Sequence, residues 1–216
     1  MAVPYARTRE FRKFRDGIDY ARRLVVAGQG LAGSEEPAAD AGDFYRAAWV
    51  QAVGAVDHWL HAELYRRVAQ AADGDATGRP DRLMRLEIPF SKLDEVRRGS
   101  TTPAAAVVEH VRARWGDVSL LSPHRVSEAL GLVTEKDVWA EAAARINEWH
   151  YGSTSHTAQT LKRRYVSITG RRDRIVHDAD LLDGEPGRRR PITETDTTEA
   201  ISWLERIAHA VATVLD

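Results

Sequence analysis

The 216-residue chain contains no cysteine. Disulfide staples, thiolate zinc sites and cysteine nucleophiles are therefore excluded, and a reducing, cytoplasmic setting is expected. No stretch reaches the roughly 20 apolar residues that a membrane helix needs, so no membrane partner is expected. There is little excess charge of either sign: 31 Lys and Arg stand against 32 Asp and Glu. A case for a polyanionic partner must therefore rest on local clusters rather than on net charge. Strand-like alternation of apolar and polar residues is also scarce, and no internal repeat is found. Hydrophobic residues make up 43% and charged residues 29% of the chain, a balance that suits a packed globular protein rather than a disordered one.

Helical periodicity dominates what is there. Residues 5–26 read as a first helix with Phe11, Phe14, Ile18 and Leu24 inward. The Arg-rich opening is assigned to that helix rather than to a targeting leader, because Glu10, Asp16 and Asp19 interrupt it. Residues 28–42, rich in Gly, Ala, Ser and acids (Glu35 and Glu36 among them), read as a loop. The clearest long helix covers 43–72, where Trp49, Val53, Val56, Leu60 and Leu64 recur at spacings of three and four. Residues 83–98 are ambiguous around Pro89. Thr102 caps a helix opening at Pro103 and running to about Trp115. Ser122-Pro123 opens another to Leu130, and Thr134 caps a third to about His150, with Asp137 at its third position. A motif helix is expected over 157–182. Asp196 and Glu199 form a capping box for a final helix lined by Ile201, Leu204, Ile207, Ala208, Val211 and Leu215. The expected fold class is an all-α antiparallel bundle in one domain, 1–216, with additional short helices in 83–150.

Two segments concentrate positive charge. Residues 7–23 hold seven basic and three acidic residues, and 162–174 hold six basic and one acidic. Along the second, the apolar stripe Leu161, Tyr165, Ile168, Ile175, Ala179, Leu182 is interrupted at Arg172. A guanidinium on an apolar seam requires a partner. Asp57 or Glu63 of the second helix would satisfy it internally, or an anionic substrate would. The adjoining face carries Val166, Gly170, Asp173 and His177. Asp173 lies four residues before His177, close enough to orient its imidazole for proton transfer. Arg172 and His177, five positions apart, sit about 140° around the helix. One copy does not readily aim both at one bond, whereas two copies across a twofold axis build a shared cleft.

GRRDRIVHDAD, residues 170–180, resembles the signature of HEPN domains, the higher-eukaryote and prokaryote nucleotide-binding superfamily. That signature is an Arg, four to six residues, then a His, often with a polar residue after the Arg. Arg172, Asp173 and His177 match it with a spacer of four, and Arg171 would match with a spacer of five. FYRAAWVQAVGAVDHWLHAEL resembles the family helix before the motif helix, and TDTTEAISWLERIAHAVATVLD resembles the last one. The likeness is strongest over 43–72 and 157–216, and the region 83–150 identifies no subfamily.

The resemblance implies a metal-independent, cofactor-free endoribonuclease acting on RNA as a homodimer with a composite active site. It also implies a toxin or antiphage role and, for toxin members, a cognate antitoxin. His177 would be the general base or acid, Arg172 would hold the phosphoryl oxygens, and Asp173 would orient one of them. Lys162, Arg163, Arg164, Arg171 and Arg174 would bind RNA phosphates. The alternative is a non-catalytic dimerisation or nucleotide-binding module of the same fold, with Arg172 locked in an internal ion pair. Asp57, His58, His61 and Glu63 lie close in sequence but lack an HExxH pattern, so no metal is assigned to them. Residues 122–139 have helix-turn-helix proportions, yet few basic residues on the would-be recognition helix.

Overall fold

Why the second helix stops being amphipathic and becomes a central post is visible in its small residues. The computed structural model describes residues 8–31, 40–74, 78–183 and 185–216; the acidic pair Glu35 and Glu36 lies outside them. Helix α2 (Ala41–Asp73) is capped by the Asp40 carboxylate on the Gly42 amide. It buries residues on several sides at once, among them Ala48, Ala52, Val53, Val56, Trp59, Leu60 and Leu64. Helix α1 (Arg9–Leu31) lies closely along it. A Cβ on Gly17 would come within 2.8 Å of the Ala55 Cβ, so the two backbones meet where neither carries bulk.

Expected and observed bounds differ where packing overrules local preference. Helix α1 continues through Gly28 to Leu31, where a loop was expected from residue 28. Gly28 is buried against Phe44 and Tyr45, and that contact offsets glycine's poor helix propensity. Phe11, Phe14 and Ile18 face inward as expected, and Leu24 is partly buried beside them.

The ambiguous 83–98 region forms two short helices, α3 (Asp81–Met84) and α4 (Phe90–Arg97), with Pro89 just ahead of the second. Helix α5 (Pro103–Trp115) has Thr102 as its cap. Helix α6 (Pro123–Leu130) is capped by Ser122. Helix α7 (Val138–Trp149) starts later than expected because Asp137, not Thr134, is its cap, accepting from the amides of Trp139 and Ala140.

Helix α8 (Ala158–His177) ends five residues short of the expected 182. The amides of Asp178 and Asp180 both donate to the Arg174 carbonyl, and Ala179 and Asp180 adopt positive φ of 49° and 58°. This closing turn, of the Schellman kind, breaks the helix without glycine or proline. The expected continuation of the apolar stripe through Ala179 and Leu182 is thereby overturned: Ala179 is exposed. Two short strands, β1 (Leu181–Leu182) and β2 (Glu185–Arg189), pair antiparallel after α8.

Helix α9 (Glu194–Leu215) is capped by Thr193 rather than Asp196; the Thr193 hydroxyl accepts from the Asp196 amide. The whole is an all-α, multi-helix bundle with minimal strand content. Among the described residues no helix is long and apolar enough to cross a membrane.

The core is aromatic where α1, α2 and α9 meet. Phe11 stands edge-on to Trp59 at 5.5 Å and to the His209 ring at 4.6 Å. Burial lowers His209 from its ordinary value of 6.5, against the Glu205 charge and with that of Arg15. His156, edge-on to Trp203, is lowered by burial and by the charges of Arg206, His150 and Arg164. Glu63 is 2% exposed. Burial alone would raise its carboxyl, but hydrogen bonds from Arg66 and Arg67 outweigh that and hold it below 4.5.

These directions set an acid response. A histidine held neutral binds fewer protons folded than unfolded, so its stabilisation is full above pH 6.5 and is lost as pH falls below it. Glu63 contributes a second loss that begins below 4.5. Melting temperature followed by circular dichroism is expected to fall from pH 7 to 5 and again below 4.5, and His209→Leu should shrink the first fall. A melting temperature that stays level from pH 7 to 5 would contradict this.

Candidate functional site

Helix α8 is held along one side and open along the other. Its start is fixed by a reciprocal capping box between Thr157 and Thr160. Leu161, Tyr165 and Ile168 are buried. The Tyr165 hydroxyl donates to the Leu120 carbonyl at 2.9 Å, and its ring lies 5.3 Å from that of Trp139. Burial pushes the Tyr165 phenol well above its usual range, so it acts as a neutral donor. The indole Nε1 of Trp49 donates to the Ile168 carbonyl at 2.9 Å, tying α8 to α2.

The far end is anchored by a buried charge cluster that sequence reasoning missed. Asp180 is fully buried. Its Oδ2 accepts from Arg46 Nε of α2 at 2.9 Å and from Arg171 Nη2 at 2.7 Å. Arg46 also donates to the Arg190 carbonyl, and Arg171 to the Pro191 carbonyl. One carboxylate thus joins α2, the end of α8 and the strand leading to α9. A signal existed in the sequence: Arg46 continues the α2 stripe of 49, 53, 56, 60 and 64 by one step, a second guanidinium on an apolar seam.

Arg172 does not meet Asp57 or Glu63. The Asp57 carboxylate accepts from the Leu120 amide at 2.7 Å, and Glu63 takes Arg66 and Arg67. Instead Arg172 Nη1 donates to Asp173 Oδ1 at 3.0 Å, a carboxylate 54% exposed. The Arg172 side chain keeps 28% of its surface, and its buried Nε has no partner. His177 is exposed and makes no hydrogen bond or ion pair with any described residue. Asp173 therefore serves Arg172, not His177. Val166 and Val176 are 52% and 46% exposed. A Cβ added to Gly170 would meet nothing within 4 Å.

The five basic residues expected to bind RNA do not form one surface. Arg164, Arg171 and Arg174 line a cleft of about 240 Å3 between α8 and α9. Lys162 lies at a different hollow with Arg82 and Lys136, and Arg163 is simply exposed. Arg171 is largely committed to Asp180, which makes its first duty structural.

His58 is exposed, whereas both ring nitrogens of His61 face carbonyl oxygens: Nδ1 that of Asp57 at 2.8 Å, and Nε2 those of Trp115 and Val118 at 3.0 Å. Among the described residues no group of three or more His, Asp or Glu is placed to hold a metal ion. No protein-family model, curated protein or solved structure matches the chain.

Proposed function

We propose that the protein is a HEPN-type, metal-independent endoribonuclease that works as a homodimer through the open side of α8. The observation that carries this reading is that Arg172, Asp173 and His177 reach solvent on the last turns of one anchored helix, with Arg172 paired to the exposed Asp173 and His177 bonded to no described residue. A rigid mounting of this kind is what a positioned acid–base pair requires.

RNA supplies its own nucleophile. His177 of one copy accepts the 2′-OH proton as the oxygen bonds to phosphorus, and His177 of the twofold mate protonates the departing 5′-oxygen. The Arg172 guanidinium binds the non-bridging oxygens as charge accumulates on them, with Asp173 fixing its plane. The products are a 2′,3′-cyclic phosphate and a 5′-hydroxyl. The test is incubation with single-stranded RNA in excess chelator: cleavage is expected, with matched DNA and 2′-O-methyl RNA left intact. Cleavage that requires added metal, or that spares no 2′-blocked substrate, would overturn the reading.

Gly170 offers a separate test of the interface. Its surroundings are open within one chain, so Gly170→Ala should stabilise the fold by up to about 1 kcal/mol through helix propensity. Gly170→Arg should fold normally but hold two copies apart. Sedimentation is expected to show a monomer, and RNA cleavage should be lost with it. A fully active Gly170→Arg protein would rule out this face as the interface.

A further inference from the structure

The cleft between α8 and α9 is lined by none of Arg172, Asp173 and His177, and its chemistry is not used by the reaction above. Three guanidinium groups, Arg164, Arg171 and Arg174, enter it from α8 against two carboxylates, Asp196 and Glu199, from α9. Both acids are already engaged: Asp196 accepts from the Thr193 hydroxyl at 2.7 Å, and Glu199 pairs with Arg164 at 3.2 Å. Asp180, the counter-ion of Arg171, is shared with Arg46.

Arg174 makes no ion pair or hydrogen bond through its side chain with any described residue. Its charge also bears on its neighbour. Burial is the main force that lowers Arg171, Asp180 opposes it, and the charges of Arg174 and Arg46 add to the lowering. Among the described residues Arg174 thus lines the cleft without a counter-ion, and the buried Arg171 Nε is a donor without an acceptor.

The remaining walls are suited to a small ligand. Ile168, Ile192 and Ala200 are apolar, Ser167 adds a hydroxyl, and Trp49 and Trp203 close the sides. Trp203 lies under the guanidinium groups of Arg164 at 5.1 Å and Arg206 at 4.7 Å. The volume, about 240 Å3, is below the roughly 300–1,000 Å3 of pockets that enclose drug-sized molecules. Planar guanidinium groups converging on a small space match the geometry of a tetrahedral oxyanion. The larger groove beside α1, α2 and α5, by contrast, has His61 and Asp57 bonded to the backbone of the fold, with His58 exposed at its edge.

We propose that the α8–α9 cleft is a phosphate-binding site, in which Arg174 and Arg171 hold the anion and Arg164 turns from the exposed Glu199 to join them. The three arginines are among those that the family resemblance assigns to RNA phosphates, yet anion binding in this cleft requires no cleavage.

Titration of the full chain with inorganic phosphate at low ionic strength tests this, by calorimetry and by tryptophan fluorescence. Saturable binding of one phosphate per chain is expected, with sulfate competing and acetate not. Arg174→Ala, an exposed position, should weaken binding about tenfold or more. Trp203→Phe should keep the binding heat but lose most of the fluorescence change. Arg97→Ala, which removes an exposed cation of α4 that does not line the cleft, should bind phosphate as the parent does. Absence of saturable binding, equal affinity in Arg174→Ala, or equal competition by acetate would overturn the proposal. Binding weakened as much in Arg97→Ala as in Arg174→Ala would show a diffuse charge effect and overturn it too. None of these outcomes involves RNA, so cleavage can fail while the phosphate site stands, and the reverse.

Discussion

His177→Ala is expected to lower RNA cleavage by about 10²–10⁴-fold, the usual contribution of a positioned acid–base group, with no change in melting temperature. The side chain is exposed and bonded to nothing described, so its removal leaves the fold untouched. Arg172→Ala should reduce cleavage by about 10²–10³-fold, as the loss of a transition-state donor does. Arg172→Lys should recover little, because an ammonium cannot reproduce the planar fork. Asp173→Asn should have a smaller effect, since it loosens Arg172 without removing it. The pattern separates chemistry from architecture: initial rates on a short RNA should collapse while thermal denaturation is unchanged. Unchanged rates in both Arg172→Ala and His177→Ala would end the nuclease reading.

Asp180→Ala should have the opposite signature. Removing the carboxylate leaves the half-buried Arg171 without its counter-ion and the buried Arg46 with only the longer pair to Asp43 at 3.8 Å, and breaking a buried pair in this way costs about 3–5 kcal/mol. For a chain of this length that is a fall of about 10 °C in melting temperature. The backbone complicates the substitution, because Asp180 sits at φ 58°, a region that Asp and Asn tolerate better than Ala. Asp180→Gly removes the carboxylate without that strain and should still lose most of the stability. Asp180→Asn keeps the conformation and one oxygen acceptor and should fall between. Urea denaturation of the three variants checks the order. A loss below about 1 kcal/mol in Asp180→Gly, the scale of a surface pair, would show that the cluster is not what fixes the end of α8.

How far the sequence alone reached depends on where the determining interaction lies. The starts of α5 and α6 were legible because Thr102-Pro103 and Ser122-Pro123 carry their caps locally. The inward faces of α2 and α9 were legible from periodicity. The extension of α1 through Gly28 was not, because Tyr45, a residue on another helix, fills the space beside it. The end of α8 was hidden for a similar reason. Its stop is set by Asp180, whose left-handed conformation is held by arginines from 134 positions earlier and nine positions earlier in the chain. Of the candidate site, the pairing of Arg172 with Asp173 was not legible, because its place on the apolar seam pointed to a partner on α2 such as Asp57 or Glu63. Nor was the division of the basic residues into a cleft, a separate hollow and an exposed position, because it depends on where α9 and the 191–192 segment pass.

Helix α9 has a further consequence for how the protein is made. It carries one of the densest sets of buried residues in the fold, from Ala200 and Ile201 to Val214 and Leu215, and it touches α1, α2, α7 and α8. Its sequence leaves the ribosome after those of α1, α2, α7 and α8. Until it arrives, the emerged helices have faces with nothing to cover them, including that of Trp59. The nascent chain must therefore wait as a pre-formed but open assembly, and in that interval it is a natural client for chaperones that shield apolar surface.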